Sequence, residues 1–429
     1  MGDTSPPAPP PGVRADAAGG LGTTEVAAFS RELAAFDAFG TATQVRQLGT
    51  GAAAIPVYVN EFWTARQRAA HSLHEVSYRA CFKPQLPRFF IERLTRPGAA
   101  VYDPFMGRGT TLLEAALQGR RPVGCDINPL SQMLVRPRLE PPDLDAVVAR
   151  LASLSLDSDE GYRDDLLAFY HPDTLRQLCG LRAYLATRQR LGTLDTVDAW
   201  IRMVATNRLT GHSAGFLSVY TLPPNQAVSV ASQEKINARR QQTPPWRDLR
   251  QVVARKSRSL LADLTPTQNQ LLQQAAGQAV LLTGSSDATP ALPAASVHLV
   301  VTSPPFLDVV DYQTDNWLRC WFNGIDPNQV SWWHWRRLAD WQAAMTRTFS
   351  ELRRVLVPGG WVAFEVGEVR RGKVQLEAAV VPAGQAAGLE PLLVVVNDQA
   401  FTKTANCWGV DNHAKGTNTN RIVLLRRPA

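Results

Sequence analysis

The sequence Thr-Ser-Pro-Pro-Phe at residues 302–306 combines groups that could hold a flat, amine-bearing ring. It follows an apolar run, 297–301, that predicts a buried strand. Two consecutive prolines cannot extend a strand, because each lacks an N–H and fixes φ. The chain must therefore leave the sheet in a stiff turn that carries a hydroxyl, backbone carbonyls and an aromatic ring. Open α/β sheets bind ligands at this carboxyl edge. A Pro-Pro turn is common by itself, so the interpretation depends on a cofactor site elsewhere.

A second stretch predicts that cofactor site. A short apolar strand ends at Asp103, Gly107 and Gly109 form a tight turn, and residues 110–118 have helical periodicity. A further strand ends in Asp126, 17 residues after Gly109, near the position of a ribose-binding carboxylate in nucleotide folds. The turn lacks the third glycine of the dinucleotide fingerprint and the Gly-Lys-Ser/Thr ending of a phosphate-binding loop. This pattern favours a nucleoside cofactor other than NAD or ATP.

Both motifs resemble those of DNA amino-methyltransferases. Asp-Pro-Phe-Met-Gly-Arg-Gly-Thr-Thr at 103–111 is similar to their S-adenosylmethionine loop. Residues 302–306 resemble their catalytic motif in its cytosine-N4 form, not the Asp-Pro-Pro-Tyr form typical of adenine-N6 enzymes. Residues 82–87 resemble the upstream cofactor segment, and 401–403 and 416–421 resemble the tail of bacterial modification methylases. The resemblance extends over roughly residues 55–429.

The resemblance implies specific roles for residues in these motifs. Phe306 departs from the commoner tyrosine, so it keeps the ring and lacks the phenol hydroxyl. The implied catalytic residues are Ser303, Pro304, Pro305 and Phe306. The implied cofactor-binding residues are Lys83, Asp103, Pro104, Phe105, Gly107, Gly109, Thr110, Thr111, Asp126, Asn128, Asp287 and Thr302.

The resemblance also implies the fold and the partners. We expect a class I S-adenosylmethionine-dependent methyltransferase, which is an α/β, Rossmann-like domain with a mixed sheet of about seven strands. The cofactor would be S-adenosylmethionine and the substrate double-stranded DNA. A cognate restriction endonuclease is a candidate partner. The expected location is the bacterial cytoplasm, in association with the nucleoid through DNA.

The distance between the motifs predicts an insertion. Gly107 and Thr302 are 195 residues apart, whereas a minimal doubly wound domain needs well under about 100 residues there. The intervening pattern is mainly helical, which is consistent with an inserted target-recognition domain. The predicted organisation is a disordered tail at 1–25, the cofactor-binding half at 26–136, the target-recognition insertion at 137–276 and the catalytic half at 277–429. After the catalytic motif, residues 332–356 predict a long helix.

The predicted insertion also carries much of the positive charge. Residues 201–260 contain ten basic and two acidic residues, a net charge of +8, while the whole chain has +7. A basic surface neutralises phosphates, which favours nucleic acid as a partner, although a solvated basic face is an open alternative. The candidate DNA-binding residues of this region are Arg208, His212, Tyr220, Asn225, Gln226, Lys235, Arg239, Arg240, Arg247 and Lys256.

Composition excludes several other classes. The chain has no apolar run long enough for a membrane span and no signal-peptide pattern at its start. Five widely separated cysteines without a Cys-x-x-Cys motif argue against disulfides and structural zinc, and we expect no metal site.

The motifs together suggest a mechanism and its alternatives. The Ser303 hydroxyl and the Pro304 carbonyl would accept the N–H groups of a flipped cytosine while Phe306 stacks on the base. Neither Asp308 nor Asp311 can be assigned as proton acceptor from the sequence. Three alternatives stay open: adenine-N6 transfer on the same scaffold, an RNA guanine-N2 methyltransferase, and a non-catalytic DNA-binding relic.

Overall fold

A computed structural model describes residues 22–51, 54–64, 70–79, 81–222, 226–305, 307, 311–369, 374–398 and 419–429. These residues form a nine-stranded mixed sheet, a small two-stranded sheet and flanking helices. The strands are β1 (Gln44–Leu48), β2 (Ile55–Asn60), β3 (Ala100–Asp103), β4 (Arg121–Asp126), β5 (Val280–Thr283), β6 (Val297–Thr302), β7 (Leu356–Val366), β8 (Glu368–Val369), β9 (Val374–Gln375), β10 (Glu390–Asp398) and β11 (Thr419–Arg426).

The order of the large sheet creates a ligand-binding crevice. Across the sheet the order is β1-β2-β10-β11-β7-β6-β3-β4-β5. The five strands from β7 to β5 are parallel, and β11 runs antiparallel between β7 and β10. The chain order reverses between β3 and β6, because β4 and β5 lie on one side of β3 while β6 and β7 lie on the other. Doubly wound sheets bind ligands at such a switch point.

The helices occur before, between and after these strands. They are α1 (Gly22–Ala34), α2 (Gln85–Leu94), α3 (Thr110–Leu117), α4 (Leu130–Leu139), α5 (Leu144–Ser153), α6 (Pro172–Arg190), α7 (Thr196–Arg208), α8 (Val230–Arg240), α9 (Leu249–Leu260), α10 (Pro266–Ala276), α11 (Tyr312–Asn323), α12 (Leu338–Val355) and α13 (Glu377–Ala386). Short 3-10 helices occur at Ser72–His74, Asp164–Ala168 and Pro327–Gln329. The sheet resumes at β5 after the helical region, as expected.

The helices of the predicted insertion share a core with the cofactor half. Trp200 of α7, Leu178 of α6 and Val253 of α9 belong to the same buried cluster as Leu112 of α3 and Leu134 of α4. Separate apolar clusters cover the two faces of the sheet. The helical region is therefore packed directly against the helices that follow the glycine turn and β4.

Three expectations differ from the structure. The sheet has two strands more than expected, because β1 and β2 extend it beyond β10 through parallel pairing of β2 with β10. Residues 22–25, expected in the tail, begin α1, while residues 1–21 lie outside the described residues. The helix expected over 332–356 begins only at Leu338. Trp333, which precedes it, packs against Trp335 and against Phe105 near the carboxyl edge of the sheet. No helix in the described ranges is long and apolar enough to cross a membrane.

Candidate active site and nucleic-acid surface

The two sequence motifs meet where β3 and β6 end side by side. The Thr302 hydroxyl donates a 2.6 Å hydrogen bond to Asp103 Oδ1, and the Phe105 N–H donates to the same oxygen at 3.1 Å. Burial raises the pKa of Asp103 to about 7, and the Thr302 hydrogen bond opposes that rise. The strand before the glycine turn and the strand before the catalytic turn are thus joined at their carboxyl ends.

The glycine turn and the end of β4 form one hydrogen-bonded unit. Gly107 has φ +47° and donates its N–H to Asp126 Oδ2 at 2.8 Å, while the Asn128 N–H donates to Oδ1 at 2.8 Å. Burial raises the pKa of Asp126 to about 6, against these two bonds. Gly109 has φ +74° and immediately precedes α3, and a Cβ there would overlap the Cγ2 methyl of Val135. Only glycine satisfies both requirements at Gly109.

An aromatic wall faces this unit and was missed at the sequence level. The rings of Tyr78 and Tyr312 stack with centroids 6.2 Å apart and an interplanar angle of 24°. Asn128 Nδ2 donates a 3.0 Å hydrogen bond to the Tyr78 hydroxyl. A Cβ at Gly107 would lie 3.4 Å from the Tyr78 ring. Tyr78 lies in an irregular segment without helical or strand periodicity, so no local signal could have identified it.

These residues line a pocket that is partly open to solvent, with about 770 Å³ of empty space between its walls when the open part is included. Predicted residues that line it are Asp103, Pro104, Phe105, Gly107, Thr110, Asp126, Asn128, Ser303 and Pro305. Lining residues that were not among the predicted cofactor-binding or catalytic residues include Tyr78, Phe82, Met106, Arg108, Ser285, Ser286, Tyr312, Trp332 and Trp333. The pocket therefore brings the cofactor and catalytic motifs into one site.

Four predicted cofactor residues support the pocket from outside its lining. Thr302 bonds to Asp103, and the Thr111 hydroxyl donates to the Val301 carbonyl at 3.0 Å, which ties α3 to β6. Gly109 lies under α4 through its approach to Val135. Lys83 is half-buried at the start of α2, and its neighbour Phe82 lines the pocket instead.

Asp287 does not line the pocket, contrary to the expectation that it would lie beside the cofactor. Its carboxylate accepts a 2.5 Å hydrogen bond from the Ser285 hydroxyl and a 3.0 Å bond from Arg347 Nε. The residues of this turn that reach the pocket are 284–286. Asp287 itself pairs with Arg347 of α12.

Glu365 is a buried acid that the sequence did not reveal. It follows Phe364 on β7, and the pairing of Phe364 with Thr302 places Glu365 beside Ser303. Burial raises the pKa of Glu365, and the neighbouring Ser303 and Asn420 side chains oppose that rise. The amide of Asn420 on β11 donates to Glu365 Oε1 at 3.0 Å. Pro304 is buried and does not line the pocket, and Phe306 lies outside the described residues. The hydroxyl of the catalytic turn thus has a carboxyl neighbour across the sheet.

Behind the pocket, a buried ionic cluster fixes the segment that carries Tyr78. Glu114 on α3 is fully buried, lies 2.7 Å from His74 Nε2 and accepts a 2.9 Å bond from Arg88 Nε. Burial lowers the pKa of His74 to about 4, whereas hydrogen bonds from His74 and the charge of Arg88 lower the pKa of Glu114 despite its burial. These shifts are consistent with a neutral His74 imidazole and an ionised Glu114, whose negative charge Arg88 compensates.

Several candidate DNA-binding residues have structural roles instead. Arg208 is buried with its guanidinium 4.0 Å from the Phe216 ring centroid, and burial lowers its pKa to about 10. Lys256 pairs with Glu75 at 3.0 Å. Asn225 lies outside the described residues. Burial and pairing remove Arg208 and Lys256 from an accessible basic surface.

Two further candidates connect segments of the fold. Gln226 Oε1 accepts a 2.5 Å hydrogen bond from Arg79, which also donates to Asp315 on α11 at 2.7 Å. Arg247 is half-buried and donates to the Ala214 carbonyl at 3.0 Å. Gln226 therefore links the helical region to the helix that begins at the pocket wall.

Helix α8 carries three exposed residues among the DNA-binding candidates. Lys235, Arg239 and Arg240 are exposed, and the guanidinium of Arg240 lies 3.8 Å from the centroid of the Tyr220 ring. His212 is half-buried near the tip of the adjoining loop. The segment has a net positive charge, but only its exposed basic residues are available to contact a phosphate backbone.

Comparison with known proteins agrees with this geometry. Residues 52–132, which contain β2, β3, the glycine turn, α3 and β4, match the model of a family described as DNA methylase. The segment that carries the predicted cofactor motif is thus similar to the N6/N4 DNA methylase family. The match and the doubly wound mixed sheet confirm the predicted class I fold. S-adenosylmethionine is confirmed as the cofactor at the level of the family.

The individual similarities are short. The chain is 34% identical over 79 residues to the type II methyltransferase M.MjaII of Methanocaldococcus jannaschii, which is 18% of this chain and 14% of that protein. It is 38% identical over 87 residues to M.MvaI of Kocuria varians, 20% of this chain and 19% of that protein. Among solved structures, TrmN from Thermus thermophilus has 13% identity over 83% of this chain and 51% of that one, with a TM-score of 0.32. The matched segments thus span less than a fifth of the length of each of these two relatives.

The pocket fits S-adenosylmethionine by its own chemistry. Asp126 lies at the end of β4, where its carboxylate can accept hydrogen bonds from ribose hydroxyls. The glycine turn leaves room for the backbone to approach the cofactor closely. Phe105 and Tyr78 supply aromatic surface in the same pocket. In the described part of the chain, no group of three or more His, Cys, Asp or Glu side chains is arranged to hold a metal ion.

Proposed function

We propose that this protein is a site-specific DNA methyltransferase that methylates the exocyclic N4 of cytosine with S-adenosylmethionine as methyl donor. One observation carries the proposal. The Ser-Pro-Pro turn and the glycine turn line the same pocket at the switch point of the sheet, and Thr302 bonds to Asp103 between them. The serine in the turn favours cytosine over adenine through its resemblance to the N4 form of the motif.

The proposed role of the catalytic turn is to orient a poor nucleophile. The exocyclic nitrogen of cytosine is conjugated with the ring, so its lone pair must be localised before it can react. The Ser303 hydroxyl and the Pro304 carbonyl would accept the two amino hydrogens. Ser303 can accept only if its own proton points elsewhere, and Glu365 is positioned to receive that hydrogen bond. Orientation of this kind is a major source of rate enhancement.

The cofactor half would hold the donor and exclude water. S-adenosylmethionine, when bound, supplies an electrophilic methyl group on a sulfonium centre. Asp126 and Asn128 would bind its ribose, and the Gly107 turn would lie against its chain. The rings of Phe105 and Trp333, whose centroids are 5.7 Å apart, would cover the opposite side of the bound cofactor. The stack of Tyr78 on Tyr312 would close the remaining wall.

The exposed charges support DNA as the substrate. Lys235, Arg239 and Arg240 on α8 would contact phosphates. Helix α8 follows the segment at Gln226, and Gln226 is connected to Asp315 of α11 through Arg79. Tyr312, the first residue of α11, lines the pocket. A duplex base is inaccessible to such a pocket, so the target cytosine would be flipped out. A restriction–modification role with a cognate endonuclease, in the bacterial cytoplasm at the nucleoid, follows from the same assignment.

The test is transfer of a labelled methyl group from S-adenosylmethionine to DNA, followed by mass spectrometry of the nucleosides. We expect N4-methylcytosine with the wild type and a large loss of transfer with Ser303→Ala and Phe306→Ala. Ser350→Ala is the matched control, because Ser350 is exposed and bonds only within α12. Unchanged transfer in both motif variants would refute the assignment of the site.

The products also separate the alternatives. N6-methyladenine would identify the adenine enzyme, and labelled guanine in RNA would identify the RNA enzyme. Calorimetric titration that detects no S-adenosylmethionine binding would identify a non-catalytic relic. Sequencing of DNA from expressing cells would then report the target site.

A further inference from the structure

Trp341 connects the core of the protein to the catalytic turn. It is fully buried in the first turn of α12, within the apolar cluster on one face of the sheet. Its indole N–H donates a 2.9 Å hydrogen bond to the carbonyl of Pro305. The indole N–H is the only polar group of a tryptophan side chain and requires a partner when buried.

The two prolines of the turn increase the effect of this hydrogen bond on the position of the turn. Pro304 and Pro305 have no N–H, so the turn cannot be held by donors of its own prolines. Its position depends on what its carbonyls and the Ser303 hydroxyl contact. Strand register places Ser303 beside Glu365 on β7, and the indole of Trp341 donates to the Pro305 carbonyl. The Trp341 bond thus holds a carbonyl in the described part of this turn.

The Pro305 carbonyl also belongs to the peptide group that leads to Phe306. A peptide group is planar, so a hydrogen bond to its oxygen orients the whole unit from which the next residue departs. The same bond occupies the second carbonyl of the Pro-Pro pair and leaves the carbonyl of Pro304 for other donors.

We propose that Trp341 is a positioning residue for methyl transfer, whose indole N–H holds the Pro305 carbonyl and thereby fixes the turn that carries Ser303. The inference rests on the proposed function and adds a residue to it. Trp341 does not touch the substrate and acts through the catalytic turn. A tryptophan that served packing alone would need its rings but not its N–H.

The experiment separates the N–H from the rings. Trp341 is replaced by Phe and, by amber suppression, by benzothienylalanine, which keeps the two-ring shape and has sulfur in place of the N–H. Trp200 is the matched control, because it is equally buried and its indole donates a 3.0 Å bond to Ser257 in the helical region. The same benzothienylalanine replacement there removes a buried indole bond far from the turn.

We expect kcat to fall at least about tenfold with benzothienylalanine at 341, as for loss of one bond that orients a reacting group. The KM for DNA and the Kd for S-adenosylmethionine should stay within about twofold of wild type. The replacement at 200 should leave kcat within about twofold. An unchanged kcat at 341, or equal losses of kcat at both positions, would overturn the proposal. Trp341→Phe should match the isostere in kcat; if it fails to fold, the isostere decides.

A second readout does not depend on activity. The indole N–H of Trp341, assigned in isotope-labelled protein by its loss in the isostere variant, should be strongly protected from hydrogen exchange. Rapid exchange of that N–H in folded protein would overturn the hydrogen bond itself. If the wild type transfers no methyl group yet this N–H is protected, the proposed function fails while the structural contact stands.

Discussion

The Thr302 hydroxyl donates a 2.6 Å hydrogen bond to the carboxylate of Asp103. The two residues are the last of β6 and β3, which are neighbouring parallel strands at the switch point of the sheet. Both side chains are buried, at 0% and 2% exposed. This side-chain bond connects the end of the strand before the catalytic turn to the end of the strand before the cofactor turn.

Thr302→Val should remove that bond with little change of shape. Asp103 would lose a donor while it remains buried, which costs about 1–3 kcal/mol, and its pKa should rise further above about 7. Denaturant unfolding at pH 8 measures the loss. Thr348→Val is the control, since Thr348 is buried and bonds only to the Ala344 carbonyl of its own helix. Equal losses in both variants would contradict a special role for Thr302.

Gly109→Ala should destabilise the fold more than Gly98→Ala. Both glycines have positive φ, +74° and +83°, so each variant pays about 1–2 kcal/mol for a left-handed backbone. Gly98 has no atom within 4 Å of a new Cβ, whereas Gly109 would meet Val135, which adds about 1–3 kcal/mol of overpacking. Chemical denaturation of the two variants gives the comparison, and equal destabilisation would contradict the tight approach of α4.

Binding of S-adenosylmethionine should weaken in acid because of Asp126. Burial raises its pKa to about 6, so the carboxylate that accepts ribose hydroxyls dominates at pH 8 and is lost as the pH falls through about 6. The Kd should rise about tenfold between pH 8 and pH 5 from this group.

Two variants isolate the contribution of Asp126 to that pH dependence. Asp126→Asn should weaken binding and remove the component with a midpoint near 6. Asp103→Asn should leave that component, because the Asp126 carboxylate is retained in this variant. Calorimetric titration across this pH range measures both; a midpoint near 6 that persists in Asp126→Asn would exclude Asp126.

Glu365→Gln should slow methyl transfer without loss of the cofactor. Glutamine keeps the shape but weakens the acceptor that faces the Ser303 side chain, so we expect kcat to fall about tenfold or more. Glu351→Gln is the control, because Glu351 pairs with Arg354 and Thr289 away from the pocket. Steady-state kinetics and calorimetry distinguish the two, and a normal kcat in Glu365→Gln would exclude Glu365 from the proposed site.

The double variant Lys235→Ala and Arg239→Ala should reduce the salt dependence of DNA binding. Each lost phosphate contact lowers the slope of log K against log salt by about 0.9, so the pair should lower it by about 2 if both contact DNA. Arg96→Ala is the control, since Arg96 is exposed in the turn before β3, at the amino edge of the sheet. Fluorescence anisotropy over a salt series gives the slopes; equal slopes in all three proteins would exclude α8 as the DNA surface.

Local sequence predicted the backbone of the site well. The strand, glycine turn, helix and second strand around Gly107 follow from short-range rules on periodicity and positive φ. The break at Pro304 and Pro305 follows from the missing N–H groups. These features need only near neighbours in the chain, and the structure has them at the expected residues.

Long-range packing decided the remainder of the site. Tyr78 stacks on Tyr312, and Trp341 bonds to Pro305, through contacts between segments with no sequence signal that links them. Glu365 comes beside Ser303 only because β7 pairs with β6. Side chains from separate elements converge when non-local strand pairing closes the sheet, and no local pattern encodes that pairing.

The basic segment illustrates the same division. The sequence by itself determined that residues 201–260 carry a net +8, because charge is additive along the chain. Only the tertiary structure decided that Arg208 is buried, that Lys256 is paired and that Lys235 is exposed. Exposure depends on which helix face packs inward, and that depends on the neighbouring helices rather than on the residue type.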